Sequence, residues 1–290
     1  MKRCIQCRNL FDSQEWQCSR CEYSPKSING YLAFAPEVVD HIQSYNPVLF
    51  AKLAKLEAKN FWFRSRNQLL IYALEQYFPK AKSFLEIGCG TGFVLQGIEK
   101  AFPQLTLSGS EIFSAGLEFA SQRLSRTTLF QMDAREIPFS EQFDVIGAFD
   151  VLEHITDDRK VLEQMYQATK IGGGIIVTVP QHPWLWSQAD EYAHHIRRYV
   201  KQDLVIKLAQ SGFKVVKVTS FVSFLLPLML VSRLKKQSKH KDFNPLTELE
   251  MGGGVNYILE KVLDIERFLI KLGISFSFGG SLLVIAHKQS

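Results

Sequence analysis

Ser83-Phe84-Leu85-Glu86-Ile87-Gly88-Cys89-Gly90-Thr91-Gly92-Phe93-Val94 is the stretch on which the fold turns. A short, mostly apolar run feeds three glycines at alternate positions, and helical spacing begins directly after them. Glycine lets a chain turn tightly and lets its backbone approach a ligand with no Cβ in the way. Strand, glycine turn and helix in that order form the first unit of a parallel sheet, with a ligand at the strand's carboxyl end. The spacing narrows the ligand. A dinucleotide fingerprint asks for glycine or alanine where Phe93 stands, so no pyrophosphate is expected at this helix terminus.

Outward from this loop, short apolar runs alternate with helical windows. Candidate strands are Ser83 to Ile87, Leu105 to Ser110, Thr128 to Gln131, Phe143 to Phe149 and Gly174 to Thr178. Helical windows cover Phe93 to Ala101, Ala115 to Leu124 and Asp158 to Lys170. Such alternation predicts a parallel sheet covered by helices on both faces, its ligand-binding loops gathered at one edge. A helix from Lys201 to Ser211, a strand from Phe213 to Ser220 and a last strand from Ser281 to His287 complete the pattern. Ahead of it, Pro36 to Phe78 reads as helical, ending at Pro79.

Three carboxylates fall at strand ends around one crevice. Glu111, followed by Ile112, closes the second strand, where it can accept two hydrogen bonds from a ribose diol. Asp133, followed by Ala134, stands after the third strand, in place to accept from an adenine amino group. Glu86, before Gly88, Gly90 and Gly92, faces the amino-acid end of such a ligand. Any one of them alone reads as a solvated strand end. Together they describe an adenosine site.

Glu86-Ile-Gly-Cys-Gly-Thr-Gly92, Glu111, Met132-Asp-Ala134 and the run from Phe143 through Asp150 to His154 resemble the successive motifs of class I S-adenosylmethionine-dependent methyltransferases. The likeness spans about Phe61 to His287 and is narrower for a subgroup with an N-terminal zinc ribbon and a Phe61-Trp-Phe-Arg-Ser-Arg-Asn67 helix start. It implies an α/β, doubly wound, seven-stranded, mostly parallel sheet of Rossmann-like type whose last strand is antiparallel. It also implies that Asp150 borders cofactor and substrate. S-adenosylmethionine would carry the activated methyl, leaving the protein to position the acceptor and, for oxygen or nitrogen, to supply a base.

His154, four residues after Asp150, is one candidate base, against the plainer reading that it opens the next helix. The loop Pro180 to Tyr199 is rich in histidine, tryptophan, tyrosine and arginine, a density suited to a binding loop. His195, Arg198 and Tyr199 are its candidates for acceptor contact or proton transfer. His182, His194 and His195 show no carboxylate–histidine spacing of a metal site, and Cys89 reads as a small filler.

Cys4-x-x-Cys7 and Cys18-x-x-Cys21 form two paired turns that bring four thiolates to a tetrahedral, structural Zn2+. A segment this short buries little core, so the metal would supply its folding energy, roughly 10–16 kcal/mol apparent in zinc-finger peptides. The N-terminus has no apolar run of signal-peptide length, which points to a cytoplasmic address where disulfides are disfavoured.

The organisation expected is a zinc knuckle over 1–24, a helical segment over 25–80, the methyltransferase domain over 81–220 and 280–290, and a helical cap insertion over 221–279. In that insertion the apolar run Phe221 to Val231 precedes Arg233, Lys235, Lys236, Lys239 and Lys241, and Val255, Ile258, Leu259, Val262, Leu269 and Leu272 share a helical face. The plain reading is a cap packed on the sheet or on a second copy in a homodimer. The sharper one is peripheral membrane contact through 221–241. With 46% apolar residues and a formal charge of +5, the chain is an ordinary globular protein too mildly basic to imply a nucleic-acid partner. The function expected is methyl transfer to a small-molecule or lipid-linked acceptor, on oxygen or nitrogen. The alternatives are an RNA methyltransferase reading through its knuckle, or a cofactor-binding protein without catalysis.

Overall fold

The alternation becomes a sheet. The structure, a computed structural model, describes residues 1–38, 48–235 and 250–289. The run into the glycines is β5 (Ser83–Ile87), followed by α3 (Phe93–Ala101), β6 (Thr106–Glu111), α4 (Ser114–Arg123), β7 (Thr128–Gln131) and β8 (Phe143–Phe149). Then come α5 (Asp158–Ala168), β9 (Thr169–Pro180), α6 (Gln188–Tyr192), α7 (Lys201–Gln210) and β10 (Phe213–Phe221). The insertion supplies α8 (Leu226–Lys235) and α9 (Gly253–Lys271), and β11 (Ser281–Lys288) ends the order. Of the basic run, Lys236, Lys239 and Lys241 lie outside the described residues.

Successive residues of the central strands point to opposite faces. Phe84, Val145 and Ile176 pack with α2 (Phe61–Tyr77), α3 and α4, whereas Leu85, Ile146 and Val177 pack with α5 and α7. Strands buried on both faces read as continuous apolar runs, which is why they were visible in the sequence. β11 runs antiparallel to both neighbours, pairing Ser281 with Pro180 of β9 and with Phe221 of β10.

Among the described residues the sheet has nine strands, not seven, in the order β10-β11-β9-β8-β5-β6-β7-β4-β3. The extra pair is a hairpin of β3 (Lys26–Ile28) and β4 (Tyr31–Ala33), with Leu32 beside Phe130 of β7. The segment 25–80 is therefore not wholly helical. Asn29 and Gly30 both take positive φ at this turn, and strands of three residues are too short to show a period. Of that segment, residues 39–47 lie outside the described residues, and α1 (Val48–Leu56) and α2 follow, with the N-cap Asn60 of α2 accepting from Trp62 N.

The four cysteines lie around a small ribbon, β1 (Lys2–Arg3) with β2 (Leu10–Phe11), docked on the same domain. Trp16 packs edge-on against Phe34 at 4.5 Å and Phe139 at 5.4 Å.

The insertion packs on α2, through a face other than the one expected. α9 buries Asn256, Leu259, Leu263, Glu266 and Ile270, and leaves Val255, Ile258 and Leu272 more than half exposed. Two polar residues direct it. Asn256 accepts from Phe61 N (2.6 Å) and donates to the Lys59 carbonyl (2.7 Å), while Glu266 accepts from the N–H groups of Ser223 and Phe224. A buried, satisfied Asn or Glu looks solvent-facing to any reading based on hydrophobicity alone.

Candidate active site

A cavity of about 1300 Å³ opens where β5, β6 and β8 end, and the insertion closes over part of it. Its two ends differ in chemistry.

At one end lies the glycine loop. Gly88 has φ 67°, and a Cβ there would come 2.5 Å from Val151 Cγ2, so only glycine fits. Gly90 also lines the cavity, and its N–H donates to Glu111 Oε2 at 3.0 Å. Gly92, expected to contact the cofactor, is not in the wall. It is the left-handed residue that starts α3, closely backed by Ala120.

Glu111 lines the cavity and also accepts from Ile112 N (2.8 Å) and Phe113 N (3.2 Å). Burial pushes its carboxyl up, against the pull of these N–H groups. Glu86 is 2% exposed, and its Oε2 has no hydrogen-bond partner among the described residues. Burial first, against Arg66, holds this carboxyl well above the usual carboxylate range. Ile112 and Ala134 line the wall, as does Asp133, but Arg135 clasps the Asp133 carboxylate through Nε (3.0 Å) and Nη2 (2.6 Å). The expectation of a free acceptor at Asp133 is corrected to that extent. A partner two residues along the chain reaches it through a local turn that spacing does not reveal.

α1 covers this end. Thr91 donates to Glu57, which also forms an ion pair with Arg123 at 2.6 Å, tying α1 to the loop and to α4. Asp150 has φ 57° and forms an ion pair with Arg66, whose guanidinium lies 4.4 Å over the Trp62 ring. Arg66 was quoted in the helix-start motif with no role, and Thr178 Oγ1 (3.4 Å) is the other partner of Asp150.

At the other end, His154 closes a short 3-10 turn, Leu152–His154, and does not open α5. It faces the cavity with its ring exposed there, and crowding by the cavity walls, then the neighbouring His195, lowers its imidazole below the ordinary value. The His195 ring lies 4.9 Å away, with Nδ1 2.9 Å from Asp190. Asp190 also accepts from Arg198 Nε (2.8 Å) and Ser187 N (2.8 Å). Burial raises this carboxyl, but His195 and Arg198 outweigh it and hold it at about 2. Tyr199 is a correction. It is 1% exposed and outside the cavity wall, donating its hydroxyl to Asp158 at 2.7 Å. A ring that ends an aromatic loop reads as a ligand contact, yet here it is a core residue. Glu153, which lines the cavity beside His154, had no role in the sequence reading.

No cysteine of the knuckle lines the cavity. The sulfurs of Cys4, Cys7, Cys18 and Cys21 all lie within 4.8 Å of one another, with Cys4–Cys21 and Cys7–Cys18 at 3.6 Å. Cys7 N and Arg20 N point at the sulfurs of Cys4 and Cys18, at 3.5 and 3.4 Å.

Glycines that admit a backbone-close ligand, a buried carboxylate with an unused oxygen, and acids at the ends of β6 and β7 define a Rossmann-like nucleoside site that fits S-adenosylmethionine. Residues 54–218 match the methyltransferase domain family, and the chain belongs to it. Its enzyme class is S-adenosylmethionine-dependent methyl transfer.

Among curated relatives, the ubiquinone biosynthesis O-methyltransferase of Stutzerimonas stutzeri is 28% identical over 240 residues, covering 73% of this chain and 96% of its own. The demethylmenaquinone methyltransferase of Thermotoga maritima is 26% identical, covering 56% and 72%. For the malonyl acyl-carrier-protein O-methyltransferase of Priestia megaterium the match is 25%, and the chain spans 41% of that relative. Among solved structures, phosphoethanolamine N-methyltransferase 2 of Haemonchus contortus superposes with a TM-score of 0.58 at 19% identity, over 88% of this chain and 60% of that one. The cyclase SpnF does so with 0.52 at 16%, over 79% and 83%. These two share the fold; the reaction lives in the site.

Proposed function

We propose that this protein transfers the methyl group of S-adenosylmethionine to an oxygen or nitrogen of a small or lipid-linked acceptor that enters from the insertion side. One observation carries the reading: a single cavity joins an acidic, glycine-cradled end to an apolar end walled by Leu225, Met229 and Leu259. Leu228 lines the cavity and is also 55% exposed, so it marks the mouth.

The cofactor supplies an activated methyl on a sulfonium. Gly88 and Gly90 admit its backbone-close part, Glu111 takes the ribose hydroxyls, Glu86 takes the amino-acid end, and Asp133 with Ala134 borders the base. Asp150, held by Arg66, stands between the two ends. His154 is kept neutral by its surroundings, and with His195 it provides the basic groups nearest the acceptor. α1 and the insertion exclude water from the transfer.

The outward residues Val255, Ile258, Phe268 and Leu272 lie on the helix whose Leu259 lines the cavity. An apolar face beside the mouth suits an acceptor held in a lipid surface, in keeping with relatives named for quinone biosynthesis. Among the described residues no helix is long and apolar enough to cross a membrane.

The cysteine cluster would hold a structural Zn2+. Four sulfurs about 2.3 Å from a tetrahedral zinc lie roughly 3.8 Å apart, close to the 3.6 Å found here. Metal analysis of the purified protein should find about one zinc bound by the knuckle, released after alkylation of the four thiols.

Methyl-labelled S-adenosylmethionine incubated with the protein and a cell lipid extract should place label in the organic phase. Label confined to RNA, or no transfer by a protein that binds the cofactor, would remove this reading.

A further inference from the structure

Glu153 follows β8 in the 3-10 turn, and its side chain is 0% exposed. Neither carboxylate oxygen has a hydrogen-bond partner among the described residues. A buried carboxylate persists when it is protonated, paired or bound to a metal. Facing Glu153 Oε1 at 3.9 Å is Nε2 of His195. The third neighbour is His154, and one donor atom from each of the three lies within 4.8 Å of the others. All three side chains also line the cavity, so anything they hold is open to a ligand on one side.

The surroundings fix how His195 presents itself. Its Nδ1 is 2.9 Å from the Asp190 carboxylate, which also accepts from Arg198 Nε and Ser187 N, both at 2.8 Å. An anionic acceptor there makes Nδ1 the protonated nitrogen and leaves the Nε2 lone pair directed toward Glu153. A carboxylate bonded to the far nitrogen of an imidazole is the outer support that metal-ligating histidines have. The orphaned carboxylate and the oriented imidazole are independent observations, and both point to the same space.

We propose that Glu153, His154 and His195 hold a divalent cation, Mn2+ or Zn2+, at the acceptor end of the cavity, with open coordination positions for an oxygen of the acceptor. Two imidazoles and a carboxylate suit these ions, and a three-residue set leaves room for a substrate ligand. An ion with ligands at roughly 2.0–2.2 Å in a tetrahedral arrangement sets its donors about 3.3–3.6 Å apart, so donors now within 4.8 Å of one another need modest side-chain shifts to meet it. The consequence for chemistry rests on the methyl transfer proposed above. The acceptor is then an alcohol or phenol whose hydroxyl sheds its proton to water more readily on the cation. Its oxygen lone pair forms the new C–O bond, the C–S pair returns to sulfur, and neutral S-adenosylhomocysteine leaves. In this arrangement the imidazoles act through the cation and not as free bases.

Titration of the full-length protein with Mn2+, followed by the loss of the free-ion paramagnetic resonance signal, tests the site. The thiolate knuckle is a poor competitor for this hard ion. One Mn2+ per chain is expected, with Glu153→Gln and His195→Asn each weakening it at least tenfold. Asp190→Asn, which touches no ion, should weaken it by about 10–100-fold. Calorimetry with S-adenosylmethionine on the same samples shows that each variant is folded. A wild-type protein that binds the cofactor yet takes up neither Mn2+ nor Zn2+ beyond the knuckle's equivalent overturns the site and leaves methyl transfer standing. Mn2+ binding unchanged in both Glu153→Gln and His195→Asn also overturns it. Uptake of Mn2+ without cofactor binding keeps the site and removes the methyltransferase reading.

Discussion

The two ends of the cavity are made differently. The end proposed for the cofactor comes from strand termini and from residues close to them in sequence: Glu86 to Gly90, Glu111 to Phe113, Asp133 and Ala134. The end proposed for the acceptor gathers Glu153 from one turn, His195 from a loop about forty residues on, and Leu225, Met229 and Leu259 from the insertion. Backbone geometry dictates the first, so few residue types can serve there. The second depends on side chains brought together by tertiary packing, and its composition is free to follow the acceptor.

This contrast can be broken experimentally. The largest effect is expected for Gly88→Val, which adds a Cβ overlapping Val151 at a positive-φ position. Strain and overlap together cost several kcal/mol, about 2–6, so calorimetry should show cofactor binding weakened at least about 30-fold. Leu259→Ala addresses the other end. It should lower stability to urea by about 2–3 kcal/mol through the cavity it leaves, with cofactor affinity little changed. Equal losses of affinity in both variants would mean that the two ends are one unit.

A third test concerns Glu86. Its carboxyl is raised by burial, so the free protein holds a proton there, while the cationic end of the cofactor prefers the carboxylate. Binding therefore releases a proton, and affinity rises with pH, by up to about tenfold per unit for one coupled proton, until the free-protein carboxyl ionises. Glu86→Gln should flatten that dependence. If wild-type affinity is flat from pH 5 to 8, Glu86 does not meet the ammonium. The smallest effect is expected for Tyr199→Phe, which removes one hydrogen bond to Asp158, worth about 1 kcal/mol of stability. Methyl transfer should be retained, and a loss of orders of magnitude would return Tyr199 to the acceptor site.

Legibility in the sequence follows the same division. Strands Ser83–Ile87 and Phe143–Phe149 coincide with their predicted bounds because strands buried on both faces are largely apolar runs; Thr128–Gln131 also coincides, although its first residue is exposed. The hairpin at Lys26–Ala33 escaped because each arm is three residues long. α9 turned a different face inward because Asn256 and Glu266, scored as polar, are satisfied inside. At the site, Glu86, Gly88, Gly90 and Glu111 were readable from local order alone. Arg66, Glu57 and Glu153 were not, since each acquires meaning only from a partner far away in the chain: Asp150, Arg123 or His195.

The placement of β11 has a consequence for biosynthesis. This strand comes last in the order, yet it sits between β9 and β10 and hydrogen-bonds along both. While the ribosome is still making residues before Ser281, β10 has no neighbour in the sheet and β9 presents a bare edge. Such unpaired edges are sticky, and the nascent domain must carry them until its final strand slots in. A shortened product lacking Ser281–Lys288 would leave β10 and its adjoining helices unanchored, and should be recovered in aggregates in place of a smaller working enzyme.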